Sequence, residues 1–285
     1  MRHLCVLRFG MAAFGATLIT AAIPAAASAA DIKALAAVPD LSGTWQMAHG
    51  RRFRPPASGP GPIQDHPDHP FHDRGIDAQG REVNPTPLVG DWRNPILKPW
   101  AADAIRKTGE EDLGGHVPET AESSCWPAGV PDILNFGGPV YFLQQPDVIT
   151  VLYQNGPNVR KIYMDHGHSA NLTPSWYGES IGHYEDGTLV VDTIGFNGKT
   201  KIDRYGTPHT EALHVVEHYR PIDDRTMQVD FTIEDPGAFT TVWSASMTYR
   251  RGAPSYLQES ICAESTVNPV TGQLFPIPVS EKPDF

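Results

Sequence analysis

The sequence has few cysteines, a deficit of basic residues and no long apolar run after its first thirty residues. Three cysteines occur in 285 residues, and 22 Lys and Arg face 33 Asp and Glu, for a net charge of −11. An acidic chain disfavours nucleic acid and anionic membrane surfaces as partners. No segment after residue 30 approaches the roughly 20 apolar residues of a membrane helix.

Motifs for nucleotide binding and for serine nucleophiles are also missing. We find no glycine-rich phosphate loop and no dinucleotide fingerprint. The letters Gly-x-Ser-x-Gly occur at residues 178–182. A nucleophile elbow, however, lies between a strand and a helix, and this segment leads directly into a hairpin turn at residues 185–187. The sequence therefore disfavours a serine hydrolase and predicts no cofactor, with zinc as a minor alternative.

The chain begins with the features of an export signal. Arg2 and Arg8 are followed by an apolar stretch at residues 9–23 and by small residues at 25–30. This layout is typical of a secretory signal peptide rather than an uncleaved anchor. We predict that residues 1–30 are removed after Ala29 or Ala30, which makes the mature protein periplasmic or secreted and leaves it without a membrane insertion.

Two cysteines remain after the predicted cleavage removes Cys5. An even pair in an oxidising compartment predicts a disulfide bond between Cys125 and Cys262. A catalytic cysteine is the alternative, but it would require two unpaired thiols to survive export.

Residues 31–139 are predicted to form an irregular N-terminal arm that packs on the rest of the protein. A short strand with a buried tryptophan is expected at residues 40–46. Residues 50–98 are rich in Pro, Gly, Asp and His and lack apolar periodicity, as expected of a long loop. One helix is predicted from Pro99 to Lys107, because proline suits the first turn of a helix.

Residues 140–285 predict a β domain. Segments with alternating apolar residues and β-branched or aromatic side chains are separated by turn signals. The predicted strands are 141–145, 148–153, 159–165, 176–184, 188–196, 211–221, 226–234, 240–250 and 256–263. Successive strands with short turns predict an all-β fold, a single antiparallel meander barrel of the lipocalin type, with a β-sandwich as the alternative.

Strand alternation places several polar residues among apolar ones. Glu217 shares a face of its strand with Leu213, Val215 and Tyr219, and Asp192 lies on the same face as its apolar neighbours two residues away. A buried carboxylate is costly unless it has a partner or lies in a wet cavity.

Small residues predict space inside the barrel. Ser180 lies between two glycines on one face of its strand, flanked by Trp176 and Tyr184. Such a row leaves room for a ligand in a barrel lumen.

Histidine pairs raise the question of a metal site. His166 and His168 would point to one side of a strand, as zinc ligands often do, but Gly167 and the polar residues after it indicate that the strand has ended. The arm also carries His66, His69 and His72 among prolines, where a solvated loop is the favoured interpretation.

Several segments together resemble a known family. Residues 176–185 read WYGESIGHYE, 187–197 read GTLVVDTIGFN, 203–209 read DRYGTPH and 212–217 read ALHVVE. These motifs are similar to those of a family of exported bacterial β-rich proteins with no assigned function. The similarity extends over most of the chain from Leu41. It implies export and a β-rich fold but no particular reaction, and relatives tend to have other residues at His166.

The polar residues of the matching segments form the candidate site. Histidine beside carboxylate is the usual acid–base pair near neutral pH. We expect His209 to act as the base, with Glu217 or Asp192 orienting it. The remaining candidates are His168, Asp165 and His183 for catalysis, and Trp176, Ser180, Tyr184 and Asp203 for substrate binding.

These residues favour a cofactor-independent enzyme of the lyase, isomerase or hydrolase class. Its expected partner is a small apolar or aromatic molecule bound in the barrel pocket. The alternatives are a lipocalin-like periplasmic binding protein without turnover, a zinc-dependent hydrolase, and a structural envelope protein with solvated acidic groups. The sequence sets no oligomeric state.

Overall fold

Nine strands close into a barrel. A computed structural model describes residues 38–72, 75–76, 82–83, 86–116, 120–155, 158–253 and 256–262, so the predicted signal peptide lies outside the described residues. The strands in chain order are β1 (Gly43–Met47), β2 (Gly75–Ile76), β3 (Glu82–Val83), β4 (Val140–Gln144), β5 (Val148–Tyr153), β6 (Asn158–Met164), β7 (Glu179–Glu185), β8 (Thr188–Ile194), β9 (His214–Asp223), β10 (Thr226–Glu234) and β11 (Trp243–Arg251).

The barrel order confirms the predicted fold class. Strands β4 to β11 are neighbours in chain order, and β1 closes the barrel by pairing with β11 on one side and β4 on the other. Strands β2 and β3 form a separate two-stranded sheet. The sandwich alternative is therefore wrong.

One pair of strands departs from the predicted antiparallel meander. Strands β6 and β7 are parallel, and they pair only from Ile162 with Ser180 to Met164 with Gly182. Parallel neighbours need a connection that returns the chain to its starting end. Residues 165–178 form that connection, so β7 begins at Glu179 rather than at Trp176 as predicted.

The predicted strand at 256–263 is wrong over its described part, because residues 256–261 have no strand structure. The barrel is already closed when β11 pairs with β1, which leaves no edge for a further strand.

Among the described residues, two α-helices and a 3₁₀ helix (Asp132–Asn135) precede the continuous part of the barrel. Helix α1 (Pro99–Leu113) has proline in its first turn, as predicted, but extends beyond Lys107. It buries Ala101, Ile105 and Gly109. Helix α2 (Ala121–Ser124) begins with a capping box at Thr120 and ends at Cys125.

Side chains fill the barrel interior. Buried residues alternate along β5, β6, β9 and β11, and in β6 every second residue from Asn158 to Met164 is buried. A Cβ atom at Gly182 would lie 2.8 Å from Cγ2 of Ile162 and 3.1 Å from Sδ of Met164. The small residue therefore allows close packing, and the expectation that it leaves ligand space is wrong.

The two cysteines lie at disulfide-bonding distance. The Cα atoms of Cys125 and Cys262 are 5.6 Å apart, so the segment after β11 is fastened beside α2. Among the described residues, no helix has the length and apolar character to span a membrane.

Candidate functional site

A buried ion pair occupies the barrel interior. Nη1 of Arg160 on β6 donates to Oε1 of Glu217 on β9 at 2.9 Å, and Nη2 contacts the other carboxylate oxygen. The remaining guanidinium donors reach the hydroxyls of Ser180 and Thr193 at 3.0–3.1 Å. Tyr219 donates to Oε1 of Glu217 at 2.7 Å. The prediction that Glu217 lies on a buried face is confirmed, but its partner is an arginine rather than His209.

Burial and charge fix the protonation of this interior group. Burial alone would lower the pKa of Arg160, but the Glu217 carboxylate and its hydrogen bonds raise it above the ordinary value. Burial and the Glu217 charge likewise raise the pKa of Tyr219. The guanidinium therefore stays charged, and its N–H groups are engaged by oxygen atoms of the protein.

A second group of ionisable residues lies on the outer face of the barrel. Nδ1 of His168 lies 3.0 Å from Oε2 of Glu179, and its Nε2 lies 2.9 Å from Oδ1 of Asp192. Nε2 of His214 lies 3.0 Å from Oδ2 of the same aspartate. We call Glu179, His168, Asp192 and His214 the outer cluster.

Strand register assembles the outer cluster. Strands β7, β8 and β9 are neighbours, with Glu179 opposite Ile194 and Asp192 opposite Val216. Because side chains alternate, the three cluster residues on these strands point outward, on the face opposite the buried Glu217. His168 reaches them from the connection between β6 and β7.

Hydrogen bonds set the charge of both carboxylates. Partial burial would raise the pKa of Asp192, but hydrogen bonds from His168 and His214 lower it below its usual value. The pKa of Glu179 is also lowered, because bonds from the hydroxyl and amide of Ser169 and from His168 outweigh burial. Ionised carboxylates alternate with imidazoles along the cluster.

A groove of about 490 Å³ adjoins the outer cluster. Its wall on one side is the outward row of β6, which carries Lys161 and Tyr163. Residues of the segment 169–173 and Glu179 also line the groove, and the buried Arg160 and Ser180 are among its lining residues. The cluster therefore extends from a groove at Glu179 to solvent at His214, whose side chain is 35% exposed.

The structure separates His209 and Asp203 from the outer cluster. His209 is buried, with Nδ1 donating to the Thr210 carbonyl at 2.9 Å and Nε2 2.6 Å from the Thr200 hydroxyl. Burial lowers the pKa of His209. Asp203 is buried and accepts bonds from residues 205 and 207, and burial raises its pKa to about 6.

The other predicted residues do not converge either. His183 and Asp165 are exposed, and His183 lies 3.9 Å from Glu185. The hydroxyl of Tyr184 accepts from Gln144 at 2.6 Å. Trp176 packs near Trp126, with ring centroids 6.2 Å apart. Ser180 lies inside the barrel, where its hydroxyl accepts hydrogen bonds from Arg160. The predicted meeting of six catalytic residues is therefore wrong, and only His168 and Asp192 contact one another.

Sequence reasoning missed two members of the outer cluster. His214 lies on the strand face opposite Glu217, where alternation exposes it. Glu179 lies within the Gly-x-Ser-x-Gly letters. Glu179 comes directly before Ser180, whose side chain lies inside the barrel, so strand alternation places the Glu179 side chain outside.

Neither a metal site nor a similarity to a known protein identifies the function of this chain. Within the described ranges, no group of three or more His, Cys, Asp or Glu side chains is arranged to hold a metal ion. His66 is buried and stacks on Trp92 with centroids 4.2 Å apart. No family model, no curated protein and no solved structure matches the chain.

Proposed function

We propose that the protein is a small-molecule enzyme that uses carboxylate and histidine side chains for acid–base chemistry without a cofactor. The supporting observation is the unbroken chain of three hydrogen bonds, of 3.0, 2.9 and 3.0 Å, from Glu179 through His168 and Asp192 to His214. Glu179 faces the groove and His214 faces solvent. A proton taken from a bound molecule thus has a route to water.

The outer cluster can move one proton by successive transfers along its hydrogen bonds. In the form with the His168 proton on Nε2 and with Nε2 of His214 unprotonated, Glu179 accepts a proton from the substrate and passes it to Nδ1 of His168, which releases its Nε2 proton to Oδ1 of Asp192. Rotation of the Asp192 carboxyl group brings that proton to Nε2 of His214, which ends as the imidazolium. Glu179 and Asp192 regain their ionised form, and His168 ends with its proton on Nδ1, so a ring flip or the reverse transfer resets the chain. The reverse sequence delivers a proton to the substrate, as lyase and isomerase reactions require.

Two features favour the groove as the place of reaction over the barrel interior. The interior is filled around Arg160 and Glu217, whereas the groove is open and lined by Tyr163 and the polar segment 169–173. The side chain of His214 is also exposed to solvent, which lets it exchange protons with buffer. Export to the periplasm remains part of the proposal, and the disulfide-distance pair of cysteines supports it.

The test is proton exchange and turnover by site variants. Purified protein is incubated in D₂O with a panel of small organic acids, ketones and esters, and NMR follows C–H exchange and product formation. We expect Glu179→Gln to lower the rate by about 10²–10⁴-fold while ligand affinity stays unchanged. His214→Gln should lower it less, and added imidazole should restore part of the loss.

The matched control is His183→Gln, which changes an exposed histidine on the same strand as Glu179 but outside the cluster. It should retain the wild-type rate. Equal rates for wild type and Glu179→Gln would refute the proposal, as would a panel on which the wild-type protein catalyses neither exchange nor turnover.

A binding protein without turnover is the second candidate. Both ring nitrogens of His168 already contact carboxylates, an arrangement that also suits a purely structural tie. In that case Glu179→Gln would alter ligand affinity, and the wild-type protein would bind members of the panel without converting them.

A further inference from the structure

The wall of the barrel opens between β6 and β7. Strand β6 pairs with β5 from Asn158 to Tyr163, but it pairs with β7 only from Ile162 onward. Residues 158–161 therefore have a strand neighbour on one side only. The groove described above lies outside this opening, since Val159 and Lys161 on one edge and Gly178 and Glu179 on the other all line it.

The open edge carries backbone N–H and C=O groups that have no hydrogen-bond partner among the described residues. Along a strand, successive residues direct their N–H and C=O groups to opposite neighbours, so two of the four residues 158–161 direct theirs into the opening. No backbone or side-chain group in the described part of the chain pairs with them there. Such an edge is a template for an added strand.

The opening is closed from the inside, so a ligand can reach the edge only from the groove. The hydroxyl of Tyr177 contacts Oδ1 of Asn158 across the opening. Two residues further along β6, Nε of Arg160 donates to the hydroxyl of Ser180 at 3.1 Å. The four edge residues span about 13 Å at the usual strand rise, which matches about four residues of an extended peptide.

A cation stands beside the open edge. If the register of the β6–β7 pair is continued by one residue, Lys161 lies opposite Glu179. They form no ion pair, because Glu179 is bonded to His168 and Ser169 instead. No described carboxylate lies within 4 Å of the Lys161 ammonium group, so this charge is available to a ligand.

We propose that the groove binds the C-terminal end of an extended peptide, which adds as a strand to β6 and pairs its terminal carboxylate with Lys161. Backbone hydrogen bonds supply a sequence-tolerant part of the affinity, and the lysine selects a free chain end. The inference rests on the proposed function only in using the same groove, and it names a peptide as the class of molecule that Glu179 meets.

Peptide chemistry tests the proposal without disturbing the fold. The probe is a fluorescein-labelled Gly-Thr-Val-Thr-Val, prepared as the free acid, as the C-terminal amide, and with an N-methyl group on the third or on the fourth residue. Fluorescence anisotropy measures affinity for the full-length mature protein. We expect the amide to bind about tenfold more weakly than the acid. Of the two N-methyl peptides, one should lose binding and its neighbour should keep it, because only alternate N–H groups face β6.

Protein variants then separate this inference from the proton relay. Lys161→Gln should weaken the acid to the level of the amide and leave the amide unchanged, whereas Lys107→Gln, on an exposed face of α1, should change neither. Glu179→Gln should retain affinity within about twofold even where it abolishes turnover. Absence of saturable binding up to about 1 mM would overturn the inference, as would equal binding of the acid and amide or of the two N-methyl peptides.

Discussion

The charged residues on the inner face of the barrel wall differ from those on its outer face in burial and in how they are connected. Inside, Arg160 and Glu217 are 1% and 0% exposed and hold each other within a closed set of hydroxyl groups. Outside, on the same and neighbouring strands, the cluster residues are 21–37% exposed and are joined in a line rather than a ring. Adjacent residues on β8 and β9 therefore contribute to opposite faces of the wall.

This difference indicates where chemistry can occur. The buried pair has its donors satisfied and is fixed in place by its hydrogen bonds. A partly exposed line has one end at a groove and the other in water, so it exchanges protons readily. The same residue types, carboxylate and base, therefore stabilise the fold on one face and suit acid–base chemistry on the other.

The largest expected effect comes from breaking the interior pair. Glu217→Gln leaves the Arg160 guanidinium buried without its countercharge, and it should lower the free energy of unfolding by about 3–5 kcal/mol. Urea denaturation followed by circular dichroism measures the change. The double variant Arg160→Met with Glu217→Leu should recover much of the loss, because it removes both charges. An equally unstable double variant would mean that shape rather than charge sets the cost.

Asp203 sharpens the comparison, because it is a buried carboxylate that forms no ion pair with any cation among the described residues. Its folded-state pKa of about 6 exceeds its ordinary value of 3.8, so the folded protein binds the proton more tightly than the unfolded chain does. Its contribution to stability is therefore present below about pH 4 and is lost as pH rises to 6, by about 3 kcal/mol. Asp203→Asn should remove this slope. Urea midpoints at pH 4, 5 and 6 for both proteins provide the measurement, and parallel slopes would contradict it.

The outer cluster should give the smallest stability effect. Its carboxylates have lowered pKa values, so their contribution is present above about pH 4.5 and is lost as pH falls. Asp192→Asn should lower the free energy of unfolding at pH 7 by only about 1 kcal/mol, because solvent screens the partly exposed pairs. It should also flatten the acid limb of the stability curve. A loss above about 3 kcal/mol would show that this face too is mainly structural.

The sequence predicts the faces of strands better than it predicts which face is inside. Alternation correctly grouped Glu217 with Val215 and Tyr219. For Asp192 the same alternation grouped it with Val190 and Ile194, but that face points outward. Both faces of this strand are apolar, so the local pattern cannot tell core from surface. Only packing within the closed barrel decides.

Pairs distant in the chain were beyond the reach of sequence patterns. Arg160 and Glu217 are 57 residues apart and meet across the lumen, which requires the register of three intervening strand pairs. His168 meets Asp192 because β6 and β7 run parallel, whereas a chain of antiparallel hairpins was predicted. The length of α1 was also underestimated, because its later turns carry mostly polar residues at the surface.

The position of β1 has a consequence for how the chain folds. This strand of five residues is flanked by partners far along the chain, with Trp45 opposite Val140 on one side and Arg251 on the other. The barrel cannot close until β11 has been made, and until then β4 and β11 each present a bare edge. Non-local pairing of this kind slows folding and exposes nascent chains to aggregation. Truncation before β11 should therefore yield an insoluble product rather than a smaller barrel.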